Sequence, residues 1–505
     1  MDTPDVTVIV PVYNTGSYLA RCLDSLRQQT IGFGRMQIVA VDDGSTDGSG
    51  RELDRFAARH PGAVTVVHTP NSGGPAAPCN RALEHATGRY LFYLGADDYL
   101  APFALQRMVE AADEWESDVL LCRVVGVNSR FIHQEVFART EPDLDMFESG
   151  LPLSLANTKL FRRELVERHR LRYPEDMTIG SDQPFTIEAC YRARRISVLA
   201  DDAYYFAVRR LNSRNVTILS KPRQRLADTR RIMEFVADLI PAGKQRDALL
   251  TRHFQLELAT LLEDAFGRLD TDTRRAVFDG IAALARRFLT DEMHAALGIE
   301  ARLRLGLARD GTLDELLAVI EYDAEHGTPP SEVVDGRRYA AYPGAVGRPE
   351  FDVTDAAADW LARLAVGELG WDRTGLVITA GTPARELADH RVVLTADDLT
   401  GVTVERAGDD DGTTVRVRFP VADLLRNAGS GVRRSVRVRV TAGCATGGTT
   451  GTAPVRTRVG SRPVIRRSGS RWYAIAALPG TSGHLMISVV PLTPRRVAAR
   501  LLRRG

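Results

Sequence analysis

The 505 residues carry 66 Lys and Arg against 65 Asp and Glu, a net charge of +1, with 44% hydrophobic residues. That balance leaves no global field to draw the chain onto nucleic acid, and the apolar content is that of ordinary folded cores. The length allows roughly three domains at about 150 residues each, and no apolar run approaches the ~20 residues of a membrane span.

The first residues, Met1 to Asp5, are acidic and lack the basic and apolar regions of a secretory leader. Five scattered cysteines (Cys22, Cys79, Cys122, Cys190, Cys444) form no CxxC pair, which argues for reduced thiols and a cytoplasmic location. From Val6 to about Val208, short apolar runs alternate with helical spacing. Val6–Val10, Gln37–Val41, Val64–Val67, Tyr90–Leu94 and Val119–Cys122 read as strands; Ser17–Gln29, Thr46–Arg59, Ala77–Ala86 and Pro102–Trp115 read as helices. This order predicts an α/β domain over residues 1–220 with a mainly parallel sheet, which binds ligands beyond the carboxyl ends of its strands.

Long amphipathic helices follow, such as Arg225–Leu239, Lys244–Leu262 and Thr273–Leu289, predicting a helical linker domain over 221–330. The Pro- and Gly-rich stretch Thr328–Pro349 reads as a boundary loop. Over 350–492 short alternating segments, among them Thr414–Phe419 and Ser435–Val440, predict an antiparallel β-sandwich. Within it Thr441–Pro454, dense in Gly and Thr, reads as a flexible loop, and residues 493–505 form a basic amphipathic tail. Such a tail is read first as solvated, with peripheral contact to an anionic membrane face as the alternative.

Four strand ends of the first half carry polar or Gly-rich punctuation on one edge. Pro11-Val-Tyr-Asn14, Val41-Asp-Asp-Gly-Ser-Thr-Asp47, Asn71-Ser-Gly-Gly-Pro75 and Asp97-Asp98 follow strands one to four and together build a pocket. Asp43 can accept the imide N–H of a base, Tyr13 offers a ring for stacking, and Pro11 and Asn14 shape the turn. Ser45 and Asp47 suit either the ligand or the cap of the next helix. Gly73 and Gly74 let backbone approach a phosphate or sugar. Asp97 and Asp98 at a strand end suit a hard divalent cation, Mg²⁺ or Mn²⁺, held against a diphosphate; for an isolated pair, a solvated turn is the plainer reading.

As an ordered set, these motifs with Asn80 and Leu94-Gly-Ala-Asp-Asp98 resemble the family 2 glycosyltransferases of GT-A fold over about the first 215 residues. The resemblance implies a UDP-sugar donor held through Pro11, Tyr13, Asn14, Asp43, Gly73, Gly74, Asn80 and Asp97, with Mn²⁺ or Mg²⁺ on Asp97 and Asp98. Two positions depart from the pattern. Gly95 stands where the family has the first Asp of Asp-x-Asp-Asp, so fewer protein ligands are expected on the metal. Pro78-Cys79-Asn80 replaces Ala-Arg-Asn, removing a basic phosphate contact, with Arg81 adjacent but turned away in a helix.

Thr178-Ile-Gly-Ser-Asp-Gln-Pro-Phe185 matches the family's catalytic motif, making Asp182 the base that takes a proton from the acceptor hydroxyl in an inverting transfer; its bland alternative is a carboxylate complementing a helix dipole. Asn157-Thr-Lys-Leu-Phe-Arg162 resembles a segment lining the acceptor side, with Lys159 and Arg162 read equally as surface charges. Tyr204–Ser213 resembles the closing segment whose cation reaches the departing diphosphate, and Arg209 is taken for that role ahead of Arg210. His68, His133, His169 and His253 have no ligand-spaced partner, which disfavours zinc.

The domain order is similar to that of the wall teichoic acid glycosyltransferases, whose sandwich supports oligomerisation or polymer contact; a polymeric polyol or glycan acceptor and a homo-oligomer are what that similarity implies. Two other classes stay open: a non-catalytic sugar- or nucleotide-binding protein, given Gly95 and Cys79, and a nucleotidyltransferase, although the latter wants a basic Gly-rich loop after strand one.

Overall fold

The apolar runs of the first half form one seven-stranded sheet in the computed structural model, which describes residues 3–128, 130–210, 221–327, 329–382, 390–396, 399–409, 412–426, 434–444, 450–480 and 484–492. In chain order the elements are β1 (Val6–Val12), α1 (Ser17–Arg27), β2 (Met36–Asp43), α2 (Ser49–Arg59), β3 (Val64–Thr69), α3 (Ala76–Leu83), β4 (Tyr90–Tyr93), β5 (Tyr99–Leu100), α4 (Ala104–Glu114), β6 (Val119–Cys122), β7 (Val124–Val127), β8 (Lys159–Arg162), α5 (Arg163–Arg168), α6 (Asp182–Arg192), β9 (Ile196–Leu199) and β10 (Tyr205–Val208).

The sheet order is β3-β2-β1-β4-β8-β6-β9. Neighbours β1–β2, β2–β3, β1–β4 and β6–β9 run parallel, while β8 is antiparallel to β4 and β6. Val8, Ile9, Val10, Leu91 and Phe92 are fully buried, as strands covered on both faces by helices require. The carboxyl ends of β1 to β4 therefore share one edge, as their loops predict. Because β8 runs backwards, its first residue, Lys159, stands on that same edge, paired with Leu121 near the end of β6. A second sheet, β5-β10-β7, pairs Tyr205 with Leu100 and so brings the segment after β10 to the Asp97–Asp98 turn.

The first compact unit runs to His253. Two helices that the hydrophobic period assigns to the linker domain, α7 (Pro222–Leu239) and α8 (Lys244–His253), pack within this first unit, with α7 against α6. The reason is local: α7 buries Leu226, Ile232, Met233 and Val236 and also the polar Thr229 and Asp228, and Asp228 accepts from the Ile179 N–H in the loop before α6.

In the second unit, helices Thr271–Phe288, Ile299–Asp310 and Leu313–Glu325 precede two antiparallel sheets whose inner faces share one core, Leu376, Ile378, Val415 and Val417 from one and Leu394, Val438, Val440, Ile475 and Ile487 from the other. The sandwich is as predicted. Two loop expectations are not. Within Thr328–Pro349, Ser331–Val334 pairs with Arg337–Ala340 around Asp335-Gly336, both at positive φ (51° and 78°), which is the geometry of a two-residue hairpin turn. Thr441–Pro454 is not a plain loop either: its first residues, Thr441–Cys444, end the strand Arg434–Cys444, which pairs with Thr450–Pro454. The tail 493–505 lies outside the described residues, among which no helix is long and apolar enough to cross a membrane.

A buried charge network binds the helices of this unit to its sandwich. Arg304, fully buried, meets Glu300 at 3.0 Å and Asp323 at 3.3 Å; Arg456 of the sandwich pairs with Glu300, and Tyr342 donates to Asp323 at 2.8 Å. Removing one partner strands the others without a counter-charge in low dielectric. Arg304→Ala is therefore expected to lower the unfolding free energy of the full chain by about 3–5 kcal/mol, read by urea denaturation.

Candidate active site

The loop after β1 is locked to the loop after β2. Asn14, at a positive φ of 45°, accepts at Oδ1 from the Thr46 N–H (2.8 Å), and its own N–H donates to Ser45 Oγ (3.1 Å). Asp47 accepts from the N–H groups of Gly16 (2.8 Å) and Ser49 (3.0 Å). Of the two readings for Ser45 and Asp47, these bonds give the architectural one. Pro11 sits in register with Val41, and Tyr13 is 47% exposed.

Asp43 is placed differently from its expected role. It is only 3% exposed, and its carboxylate accepts from the Ser72 N–H (3.0 and 3.1 Å) and Ser72 Oγ (2.9 Å). A carboxylate so engaged shapes the loop after β3 rather than standing open to a base edge. Gly44 permits this closure: its φ is +72°, and a Cβ there would lie 2.7 Å from the Asn71 nitrogen. The chain then passes Gly73, at φ +86°, to Gly74, beside the Met177 carbonyl.

From there α3 continues the wall. Asn80, expected on the donor, spends its side-chain amide on the backbone of Tyr173 (2.8 and 2.9 Å) and on Glu175 (2.9 Å), so it fixes the segment leading to Asp182. Arg81 is paired with Glu84 on the outside of α3. Cys79 is buried against Asp182, and burial together with that charge holds its thiol protonated.

The adjacent aspartates have separate environments. Asp98 is buried and accepts from Tyr205 Oη (2.6 Å) and the Val208 N–H (2.6 Å), with Arg130 at 3.5 Å. Both of its oxygens thus hold β10 in place. Asp97, 17% exposed, meets Arg210 through Oδ2 (2.7 Å), leaving Oδ1 as an acceptor. Arg210 also reaches the Asn14 carbonyl (3.4 Å), whereas Arg209 is exposed and takes part only through its backbone, with Val127 and Asn128. Just past the end of β10, Arg209 is exposed while Arg210 turns in to Asp97. Among the described residues no cluster of three His, Cys, Asp or Glu forms a complete metal cage. A single carboxylate does fit a cation that completes its shell with diphosphate oxygens and water.

Asp182 opens α6, partly exposed, with its carboxylate accepting from the Asn157 N–H at 3.4 Å. Burial raises its pKa above the ordinary carboxylate value, against the Asn157 N–H and the charges of Lys159 and Arg252. The loop before it is braced from α7. Asp228 accepts from the Ile179 N–H (3.0 Å) and Arg231 donates to the Asp176 carbonyl (2.7 Å). Asp228→Ala is expected to lower kcat about tenfold with little change in UDP affinity, and to cost about 1–3 kcal/mol of stability because it orphans a buried N–H; steady-state kinetics beside calorimetric titration checks this.

These bonds link the loops in turn: Asp97 through Arg210 to Asn14, Asn14 to Ser45 and Thr46, and Asp43 to Ser72, while Asn80 holds Tyr173 on the segment that leads to Asp182. Sequence reasoning named Arg210 beside Arg209 but missed Asp228 and the burial of Lys159. The apolar Leu160-Phe161 after Lys159 marks a strand.

Residues 7–169 match glycosyl transferase family 2, and residues 222–320 match the glycosyl transferase TarS linker domain. Among curated relatives, the poly(ribitol-phosphate) beta-glucosyltransferase of Bacillus spizizenii is 31% identical over 57% of this chain and 45% of its own. The poly(ribitol-phosphate) beta-N-acetylglucosaminyltransferase TarS of Staphylococcus aureus is 34% identical over 49% and 44%. The chain thus spans less than half the length of these two relatives. The crystal structure of S. aureus TarS superposes with a TM-score of 0.62 over 97% of this chain and 86% of that one at 21% identity, a likeness of fold. TarS 1–349 in complex with UDP-GlcNAc reaches 0.59 over 68% and 98% at 28% identity. By these matches, residues 7–169 carry a glycosyl transferase family 2 domain and residues 222–320 a linker domain of the TarS kind.

Proposed function

We propose that the chain is an inverting glycosyltransferase that moves a sugar from a UDP-sugar to a hydroxyl of a polyol-phosphate polymer of the teichoic acid kind. The observation that carries this reading is the set of loops tied together on one sheet edge, Asp97 through Arg210 to Asn14, Asn14 to Ser45 and Thr46, and Asp43 to Ser72, with Asn80 bonded to the segment that leads to Asp182. Relatives that act on poly(ribitol phosphate), and one that binds UDP-GlcNAc, support the acceptor and donor classes.

In the proposed reaction the acceptor oxygen attacks the anomeric carbon from the face opposite the diphosphate, its proton passes to Asp182, and the bond from carbon to phosphate oxygen breaks to release UDP. Tyr13 stacks on the base, and Asp43 acts by shaping the loop of Ser72 to Gly74 against the donor. Asp97 would hold Mn²⁺ or Mg²⁺, which when bound neutralises charge on the diphosphate. Arg210, between Asp97 and Asn14, stabilises the same developing charge. A homo-oligomer through the sandwich and peripheral membrane contact through the basic tail belong to the same proposal.

A donor screen read by UDP release, with and without poly(ribitol phosphate) and with Mn²⁺ present or chelated, tests it. Acceptor-stimulated UDP release with an inverted product linkage is the expected outcome. UDP binding without turnover on any donor would instead favour the non-catalytic reading.

A further inference from the structure

Lys159 is the one lysine among the buried polar side chains of the described residues, at 1% exposure. It begins β8 on the edge of the sheet that carries the donor loops. A buried ammonium is costly unless dipoles and a counter-charge surround it. Here Nζ donates to the carbonyls of Ser154 and Ala156, both at 2.6 Å, and so curls the turn between them around itself. The next backbone N–H along that turn, on Asn157, points to Asp182 Oδ2 (3.4 Å), and the Asn157 amide is anchored on Tyr173 Oη (3.0 Å). The carbonyls supply dipoles; the carboxylate that supplies charge is Asp182.

We propose that Lys159 is a positioning residue for Asp182: its buried ammonium gathers the turn that presents the Asn157 N–H and keeps the neighbouring carboxylate charged for proton abstraction. This rests on the reading of Asp182 as base. The groups facing Asp182 are Lys159 from β8, Arg252 from α8 and the Cys79 thiol from α3; Cys122 and Cys190 face Lys159 from β6 and α6. Burial drives Lys159 down to about 8, so near neutral pH it remains charged, and its charge opposes the rise that burial imposes on Asp182. Cys79, Cys122 and Cys190 are all raised by burial and stay protonated. Arg252 is thus the other cation acting on the base.

The test is the pH profile of kcat/KM for Lys159→Met beside the native enzyme, with UDP affinity measured in parallel. Loss of the charge is expected to move the acid limb upward by about one pH unit or more, while UDP affinity stays within about twofold. A folded Lys159→Met enzyme whose acid limb has not moved overturns the proposal and leaves the lysine as a brace only. Should Lys159→Met fail to fold, the double variant Lys159→Met, Asp182→Asn decides: recovery of a cooperative urea transition supports the coupling, and no recovery overturns it. If the native protein transfers no sugar, the glycosyltransferase reading fails on its own, and Lys159 is judged by the same unfolding comparison.

Discussion

Asp182→Asn is expected to lower kcat by roughly 10²–10⁴-fold while UDP binding remains measurable at near-native affinity. The amide matches the carboxylate in shape and still accepts from the Asn157 N–H, so the opening turn of α6 keeps its geometry. What it loses is the capacity to take the acceptor proton. Steady-state UDP release beside calorimetric UDP titration separates the two effects, and an active Asp182→Asn enzyme would remove the base assignment. The pH dependence carries a second signature. Burial raises Asp182 above 3.8, so the base loses its charge, and the enzyme its activity, at a higher pH than an ordinary carboxylate would give. The stability sign is opposite. A carboxyl with a raised folded pKa favours folding below its unfolded value, and that contribution is lost as pH rises through the folded value. Asp182 is thus charged, and useful, in the range where the fold gains least from it.

The edge on which the site stands was legible because period-2 and period-3.6 patterns alternate cleanly through β1 to β4, and a parallel sheet puts their loops together. Gly44, Gly73 and the Asp182 motif could be read as loop and helix-start chemistry without coordinates. Which side chains face the ligand was less legible. Asp43 and Asn80 have polar atoms that suit a donor, yet their nearest partners are backbone groups of loops distant in sequence, Ser72 and Tyr173. Lys159, after Thr158, reads as a surface charge; the placing of β8 between β4 and β6 goes with its burial. Asp228 and Arg231 lie in a helix whose amphipathic period says nothing of the loop it braces. In each case a long-range partner, absent from any local window, decides the role.

The two aspartates after β4 are expected to separate under mutation. Asp97→Ala should lower kcat/KM by about 10²–10³-fold and reduce the gain in UDP affinity that Mn²⁺ confers, with little change in unfolding free energy, because its side chain is partly exposed and pairs with Arg210 rather than with the core. Asp98→Ala should act through stability. It leaves Tyr205 Oη and the Val208 N–H without an acceptor inside the protein, each at about 1–3 kcal/mol, and releases the strand that delivers Arg210. Burial and the neighbouring Asp97 charge lift Asp98 to about 6, against Arg130 and those two donors. Its contribution to folding is therefore complete below 3.8 and is lost as pH rises through about 6. The native protein should accordingly owe part of its mildly acidic stability to Asp98, and the Ala variant should lose that part. Urea midpoints across pH 4–7 beside Mn²⁺-dependent UDP titrations read both effects. Equal losses of metal-linked affinity in the two variants would show that both carboxylates hold the cation, and that β10 is shaped by something other than Asp98.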